Sequence, residues 1–242
     1  MKISIVMPAY NAGEWVRRTI GRVPRETWDA LLSFWIVNDG STDATRTLIE
    51  DAQRENGKIR VIHFPENRGY GSAVKAGLAQ CKDEPCDIAV CLHADGQYPP
   101  EKIPEFTRFM RERSVDLLQG SRIASGTALS GGMPLYKYLA NRCLTFFENI
   151  VYGLSLTDYH SGYLCYSRLA LDTILFERLS ASFDFDLEVI ACARARGLKI
   201  AELPVPTRYA GEKSHVKSIG YGLRAVKVMG RYMIGKYRIS NR

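Results

Sequence analysis

Asp87-Ile88-Ala89-Val90-Cys91-Leu92-His93-Ala94-Asp95-Gly96-Gln97-Tyr98-Pro99-Pro100 begins as an apolar run and ends as a polar segment closed by two prolines. The run through Leu92 predicts a buried strand. His93 and Asp95 stand two residues apart at its exit. Strand side chains alternate faces, so the two are expected to point the same way. A carboxylate and an imidazole on one face at a strand's end can hold a divalent metal ion, and a metal there can hold a nucleotide diphosphate. Pro99-Pro100 end the strand and start a new segment.

Working outward, apolar runs alternate with helical segments. Strands are expected at 3–7, 32–37, 59–63, 88–92 and 115–120, with a further short one at 199–203. Helices are expected at 14–22, 43–55, 72–81, 101–111, 135–152 and 183–196, the second opened by the cap Ser41-Thr42-Asp43. Such alternation implies a single α/β domain with a mostly parallel sheet and helices on both faces. Ligands of such sheets bind beyond the C-terminal ends of the strands. Asp39, Asn67, Asp95 and Arg122 all sit at or just past such ends. The loop 126–132, Gly-Thr-Ala-Leu-Ser-Gly-Gly, is either a mobile lid or a connector.

The 242 residues suffice for one large domain with a sizeable core, and 46% hydrophobic with 24% charged residues is ordinary for a soluble protein. No stretch approaches the ~20 apolar residues of a membrane span. The first eight residues read as a core strand rather than a signal peptide. Six cysteines without a Cys-x-x-Cys pair read as reduced thiols, which argues against a zinc site. The net charge of +7 is concentrated. From Arg208 to Arg242 there are nine basic residues against the single acid Glu212, a tail of +8 on a body of −1. That suggests an anionic partner surface, nucleic acid or acidic lipid; no nucleic-acid-binding motif accompanies the charge. On a helical wheel Ile219, Leu223, Val226, Met233, Ile234 and Tyr237 share one broad face, with Lys217, Arg224, Lys227, Arg231 and Arg238 on an adjoining stripe. This is either a helix packed on the sheet with a solvated basic edge, or an interfacial helix on anionic lipid.

Two more motifs close strand ends. Asn38-Asp39-Gly40-Ser41-Thr42-Asp43 offers Asp39 to a base or ribose, or serves only turn and cap chemistry. Asn67-Arg68-Gly69-Tyr70-Gly71-Ser72 opens a helix. Its glycines would let backbone approach a ligand, and the helix N-terminus favours phosphate. It is neither a Walker loop nor a dinucleotide fingerprint. Together with Met7-Pro8-Ala9-Tyr10-Asn11 and the His-Ala-Asp-Gly-Gln segment, these motifs stand in an order and spacing that resemble family 2 glycosyltransferases of the GT-A fold. The similarity is greatest to the dolichol- or polyprenyl-phosphate sugar synthases. Gly120-Ser121-Arg122, Asp158-Tyr159-His160-Ser161-Gly162-Tyr163, Phe185-Asp186-Leu187-Glu188 and Glu202-Leu203-Pro204-Val205-Pro206 extend it over about residues 1–215.

The resemblance implies an inverting transfer of a hexose from a GDP- or UDP-sugar to polyprenyl or dolichyl phosphate. Its alternative in the same fold is a sugar hydroxyl acceptor in polysaccharide or O-antigen assembly. Pro8, Tyr10, Asn11 and Asp39 would meet the nucleoside; Asn67, Arg68 and Gly69 would line the donor pocket. Asp95, with Gln97 and His93 beside it, would hold a divalent metal, magnesium or manganese. Many relatives have Asp-x-Asp where this chain has His93-x-Asp95, which removes one negative charge. His93 is then either a direct ligand or a hydrogen-bonding neighbour. Arg122, Lys137, Arg142 and His215 would meet the acceptor phosphate, and Arg208 the transferred group. A phosphate acceptor is mostly anionic at neutral pH and needs no strong base; a hydroxyl would need one, with Asp158 the candidate. The organisation expected is a transferase domain over 1–215 and a basic amphipathic helix over 216–242. That helix would place the protein peripherally on the cytoplasmic face of an anionic membrane, with helix 135–152 either a second contact surface or a core-packed element.

Overall fold

The structure, a computed structural model, describes residues 1–206 and 218–238. Seven strands form one sheet: β1 (Ile3–Ala9), β2 (Leu31–Asp39), β3 (Ile59–Phe64), β4 (Ile88–Cys91), β5 (Leu117–Ser121), β6 (Leu164–Ser167) and β7 (Ile200–Pro204). Their order is β3-β2-β1-β4-β6-β5-β7. β3, β2, β1 and β4 are mutually parallel, as are β5 and β7; β6 runs antiparallel between β4 and β5. β6 and the helix that leaves it directly, α7 (Arg168–Thr173), lie outside the expected elements. The strand is only four residues long, and Ser167 ends it while capping the helix by accepting from the Ala170 N–H.

Strand periodicity sorts the core into two layers. Ile5, Met7, Val90 and Leu92 face one apolar cluster, under α3 (Thr45–Glu55) and α5 (Ile103–Arg113). Val6, Ala89 and Cys91 face the other, under α4 (Tyr70–Asp83), α8 (Phe185–Ala195) and α9 (Ser218–Met233). Central strands buried on both faces are the mark of parallel sheets. The short helices α1 (Trp15–Gly21) and α2 (Arg25–Ala30) precede β2, and α6 (Leu135–Tyr152) follows a segment, 122–134, without regular structure.

Of the two arrangements expected for the tail helix, packing on the sheet is not the one found. α9 packs on α6 and α8 through Ala225, Val228 and Met229, and Tyr237 is buried just after it. Arg231 Nη1 and Tyr237 Oη both donate to Glu188 Oε1 of α8, at 2.6 and 2.8 Å. Leu223, Val226, Met233 and Ile234 are exposed. α6 shows the same inversion. Leu135, Tyr136, Leu139, Phe146, Phe147 and Ile150 are exposed, whereas the polar Asn141, Thr145 and Glu148 are buried. Among the described residues no helix is long and apolar enough to cross a membrane.

Candidate active site

A cleft of about 870 Å³ opens past the C-terminal ends of β1, β2, β4 and β5. Pro8, Tyr10 and Asn11 line it from β1's exit, Asp39 from β2, and Asn67 and Gly69 from the loop after β3. His93, Asp95 and Gln97 follow β4, and Arg122 follows β5. Lys137 enters from α6. The sequence motifs therefore converge on one cavity although they span most of the chain.

The wall formed by the exits of β1, β2 and β3 is held by bonds between side chains and backbone. Asn11 N–H donates to Ser41 Oγ at 3.0 Å, and Asn11 Oδ1 accepts from Thr42 N–H at 2.9 Å, locking two strand exits together. Asp39 accepts from Arg68 N–H (2.7 Å) and Gly69 N–H (3.0 Å), pinning the 67–69 loop to β2. Arg68 itself turns away: its guanidinium lies 4.9 Å over the Phe64 ring, and it does not line the cleft. The glycines of this loop serve packing more than ligand approach. Gly69 has φ +94°, and a Cβ there would lie 2.5 Å from the Ala181 carbonyl oxygen; one at Gly71 would lie 2.4 Å from that of Ser180.

His93 and Asp95 share the cleft, but not through strand alternation. β4 ends at Cys91, and the chain turns through Gly96 (φ +74°). Asp95 Oδ1 accepts from Gln97 N–H at 3.0 Å within that turn. His93 Nε2 instead lies 3.0 Å from Tyr70 Oη, which donates to Asp186 at 3.0 and 3.2 Å. Burial pushes the Asp186 carboxyl up to about 7 and lowers the His93 imidazole. Among the described residues no three His, Cys, Asp or Glu side chains converge as a metal cage. One carboxylate with a neighbouring amide oxygen nevertheless suits a hard divalent cation whose shell is completed by diphosphate oxygens and water.

The far wall is a second polar cluster. Arg122 Nη2 donates to the His160 carbonyl at 2.6 Å, and Arg122 Nε lies 3.6 Å from Asp158 Oδ2. Asp158 is 0% exposed and does not line the cleft; its Oδ1 accepts from Asn141 Nδ2 (2.8 Å) and His160 N–H (2.9 Å). Burial works to raise its carboxyl, but Arg122, His160 and Asn141 outweigh it and hold it below the ordinary value. Glu148 Oε2, fully buried on α6, faces His160 Nε2 at 3.4 Å, and His160 Nδ1 lies 3.2 Å from Tyr221 Oη on α9. Burial, with Asp158 nearby, raises Glu148 to about 8; burial lowers His160 to about 4. Both are therefore neutral around pH 7. Arg142 is exposed outside the cleft, and Arg208 and His215 lie outside the described residues.

Tyr70, Asp186, Glu148, His160 and Tyr221 had no assigned role in the sequence reading. His160 and Asp186 lie inside segments that carried the resemblance. Glu148 had its own signal, the one charged residue in the largely apolar run Leu144-Thr-Phe-Phe-Glu-Asn-Ile-Val151.

Comparison with known proteins agrees with this layout. Residues 4–175 match the family described as glycosyl transferase family 2. The UDP-N-acetylglucosamine–dolichyl-phosphate N-acetylglucosaminyltransferase of Methanococcus voltae is 30% identical over 86% of each chain. The undecaprenyl-phosphate mannosyltransferase of Micrococcus luteus is 26% identical over 85% of this chain and 83% of its own. Glucosyl-3-phosphoglycerate synthase of Mycobacterium tuberculosis, solved with Mn2+, UDP and phosphoglyceric acid, superposes with a TM-score of 0.68 at 17% identity, over 99% of this chain and 80% of that one. That likeness carries the fold, a GT-A sheet with helices on both faces. With the fold, the strand-end motifs and nearly three-quarters of its length in agreement, the chain belongs to glycosyltransferase family 2.

Proposed function

We propose that this glycosyltransferase moves a sugar from a nucleoside diphosphate sugar to a polyprenyl or dolichyl phosphate, with inversion. The observation that carries the reading is the double role of α6 and α9. α6 gives Lys137, Asn141 and Leu144 to the cleft, and α9 gives Tyr221. The outer faces of the same helices expose Phe146, Ile150, Leu223 and Met233, from 60% to 69%. A nucleotide-sugar cleft walled by helices that are apolar outside fits an acceptor carried in a membrane. The names of the two curated relatives support that acceptor class, and the first supports a uridine nucleotide.

In this reading Pro8, Tyr10, Asn11 and Asp39 receive the nucleoside, and Asn67 and Gly69 line the donor pocket. Asp95 and Gln97 would hold a divalent cation, which when bound supplies positive charge to the leaving diphosphate. Arg122 and Lys137 receive the acceptor phosphate. An acceptor phosphate oxygen bonds to the anomeric carbon as the bond from that carbon to the diphosphate oxygen breaks. The acceptor, with a second pKa near 6, arrives already anionic, so Asp158 positions Arg122 rather than removing a proton. The protein works peripherally on the cytoplasmic face. Exposed Arg142, Lys227, Lys236 and Arg238 add about 1 kcal/mol each near anionic lipid.

Radiolabelled UDP-N-acetylglucosamine, UDP-glucose and GDP-mannose, each incubated with polyprenyl phosphate and Mn2+ or Mg2+, test the reading. Label from one donor should pass into the organic phase. Label that stays aqueous, on free sugar or on a saccharide acceptor, refutes it.

A further inference from the structure

Phe185-Asp186-Leu187-Glu188 places a buried carboxylate on the first turn of α8, facing the cleft. Asp186 meets the Tyr70 hydroxyl, from the first turn of α4, and that hydroxyl meets His93 Nε2 at 3.0 Å. Three distant segments thus build one hydrogen-bonded chain that ends beside Asp95.

We propose that Tyr70 and Asp186 are positioning residues of the donor site, fixing His93 as the tautomer protonated on Nε2 and leaving Nδ1 as its nitrogen with a free lone pair. The proposal rests on the donor reading above. Its chemistry is a matter of counting protons. A hydroxyl has one proton to give, and an ionised carboxylate only accepts. With the Tyr70 proton committed to Asp186, the Tyr70 oxygen offers His93 a lone pair, and Nε2 must supply the N–H. A neutral imidazole has one N–H, so Nδ1 is left able to bind a cation or accept a hydrogen bond. Histidines that bind metals are commonly oriented this way, by an acceptor on the opposite nitrogen.

The packing leaves the ring little freedom to choose otherwise. Tyr98 meets it edge-on, with centroids 4.9 Å apart at 86°, and Phe183 stacks on Tyr70 at 5.6 Å and 11°. On the remaining side the chain passes as Gly162, where a Cβ would lie 2.5 Å from His93 Nε2 and 2.9 Å from Tyr70 Oη. The arrangement also bears on the missing first aspartate of the Asp-x-Asp pattern. A histidine held in one tautomer supplies a nitrogen donor at that position without adding charge, which suits manganese better than magnesium.

The test combines a spectrum and a binding cycle. Long-range 1H–15N spectra of 15N-histidine-labelled protein, with His93 assigned from His93→Gln, are recorded at pH 8.5, where Asp186 is ionised. His93 should show a protonated Nε2 and an unprotonated Nδ1 before any metal is added. Mn2+ affinity is then measured by electron paramagnetic resonance in the presence of UDP and, in parallel, GDP. Tyr70→Phe and Asp186→Asn should each weaken it about tenfold, and neither should do so in a His93→Gln background. Protonation of Nδ1 in the wild type, or an undiminished loss in the His93→Gln background, overturns the proposal. Should the wild type bind no Mn2+ with either nucleotide, the donor reading falls and takes the proposal with it. That outcome is distinct from failure of the proposal alone, in which wild-type binding is intact.

Discussion

Asp158→Asn separates two roles for the carboxylate beneath Arg122. The substitution keeps the side chain's shape and leaves Oδ1 able to accept from Asn141 and His160, but it sets an amide N–H against Arg122 Nε where Oδ2 stood 3.6 Å away. Opposite unit charges at that separation attract by about 4.6 kcal/mol at an effective dielectric of about 20. Removing one member of a buried pair costs about 3–5 kcal/mol, and because Arg122 keeps its bond to the His160 carbonyl the lower figure, about 3 kcal/mol, applies. At roughly 2–4 °C per kcal/mol for a chain of this length, Tm at pH 7 should fall by about 10 °C. The sign with pH is fixed by the depressed carboxyl. Its stabilisation is present above the unfolded value of about 3.9 and is lost as pH falls through the lower folded value, so wild type and variant should converge in acid. In kinetics with polyprenyl phosphate, acceptor KM should rise more than kcat falls, since Arg122 loses its orientation while no proton donor or acceptor is lost. Calorimetry across pH and steady-state kinetics check both halves. An unchanged Tm with kcat lost by a thousandfold or more would refute the reasoning, and would put Asp158 against the reacting atoms.

Glu148→Gln should leave Tm nearly unchanged near pH 4.5 and raise it relative to wild type by pH 8.5. The wild-type carboxyl, held up to about 8, gives up stability as pH climbs from its ordinary value toward that figure; parallel Tm curves would contradict this. Gly69→Ala must push a Cβ into the Ala181 carbonyl at φ +94° and should weaken UDP binding at least tenfold by titration calorimetry, whereas Gly57→Ala, with open space around it, should not. Phe146→Glu combined with Ile150→Glu should reduce binding to phosphatidylglycerol vesicles at least tenfold with Tm within about 1 °C of wild type, since both side chains are exposed. Equal vesicle binding would remove α6 from the membrane surface.

Six of the seven strands, all but β6, were legible because their apolar runs leave a plain signal, and Asp39, Asn67, Asp95 and Arg122 mark the exits of β2, β3, β4 and β5. β6 was not. Four residues entering a helix directly carry too little periodicity, and its antiparallel course depends on long-range pairing with β4 and β5. The cleft's inner chemistry was hidden for a similar reason. Tyr70 meets Asp186 across 116 positions, and Glu148 acts through His160, so neither has a local pattern. The wheel of the tail found its apolar side chains but left their surroundings open between the sheet and a lipid surface. Only the fold shows that Ala225, Val228 and Met229, spaced i, i+3, i+4, are the side that packs.

α9 therefore has no dispensable side. Its inner face closes the cleft with Tyr221 and caps the buried Glu188 with Arg231, while its outer face is bare hydrocarbon interrupted by lysine. A fragment ending before residue 218 would lose a wall of the substrate cavity together with its surface helix, so truncation cannot report on either alone. Sequence drift in such an element is constrained on two fronts at once. A substitution that shifts the helix to change its outer face also moves Tyr221 in the cavity, so the exposed surface and the cleft are coupled through one helix.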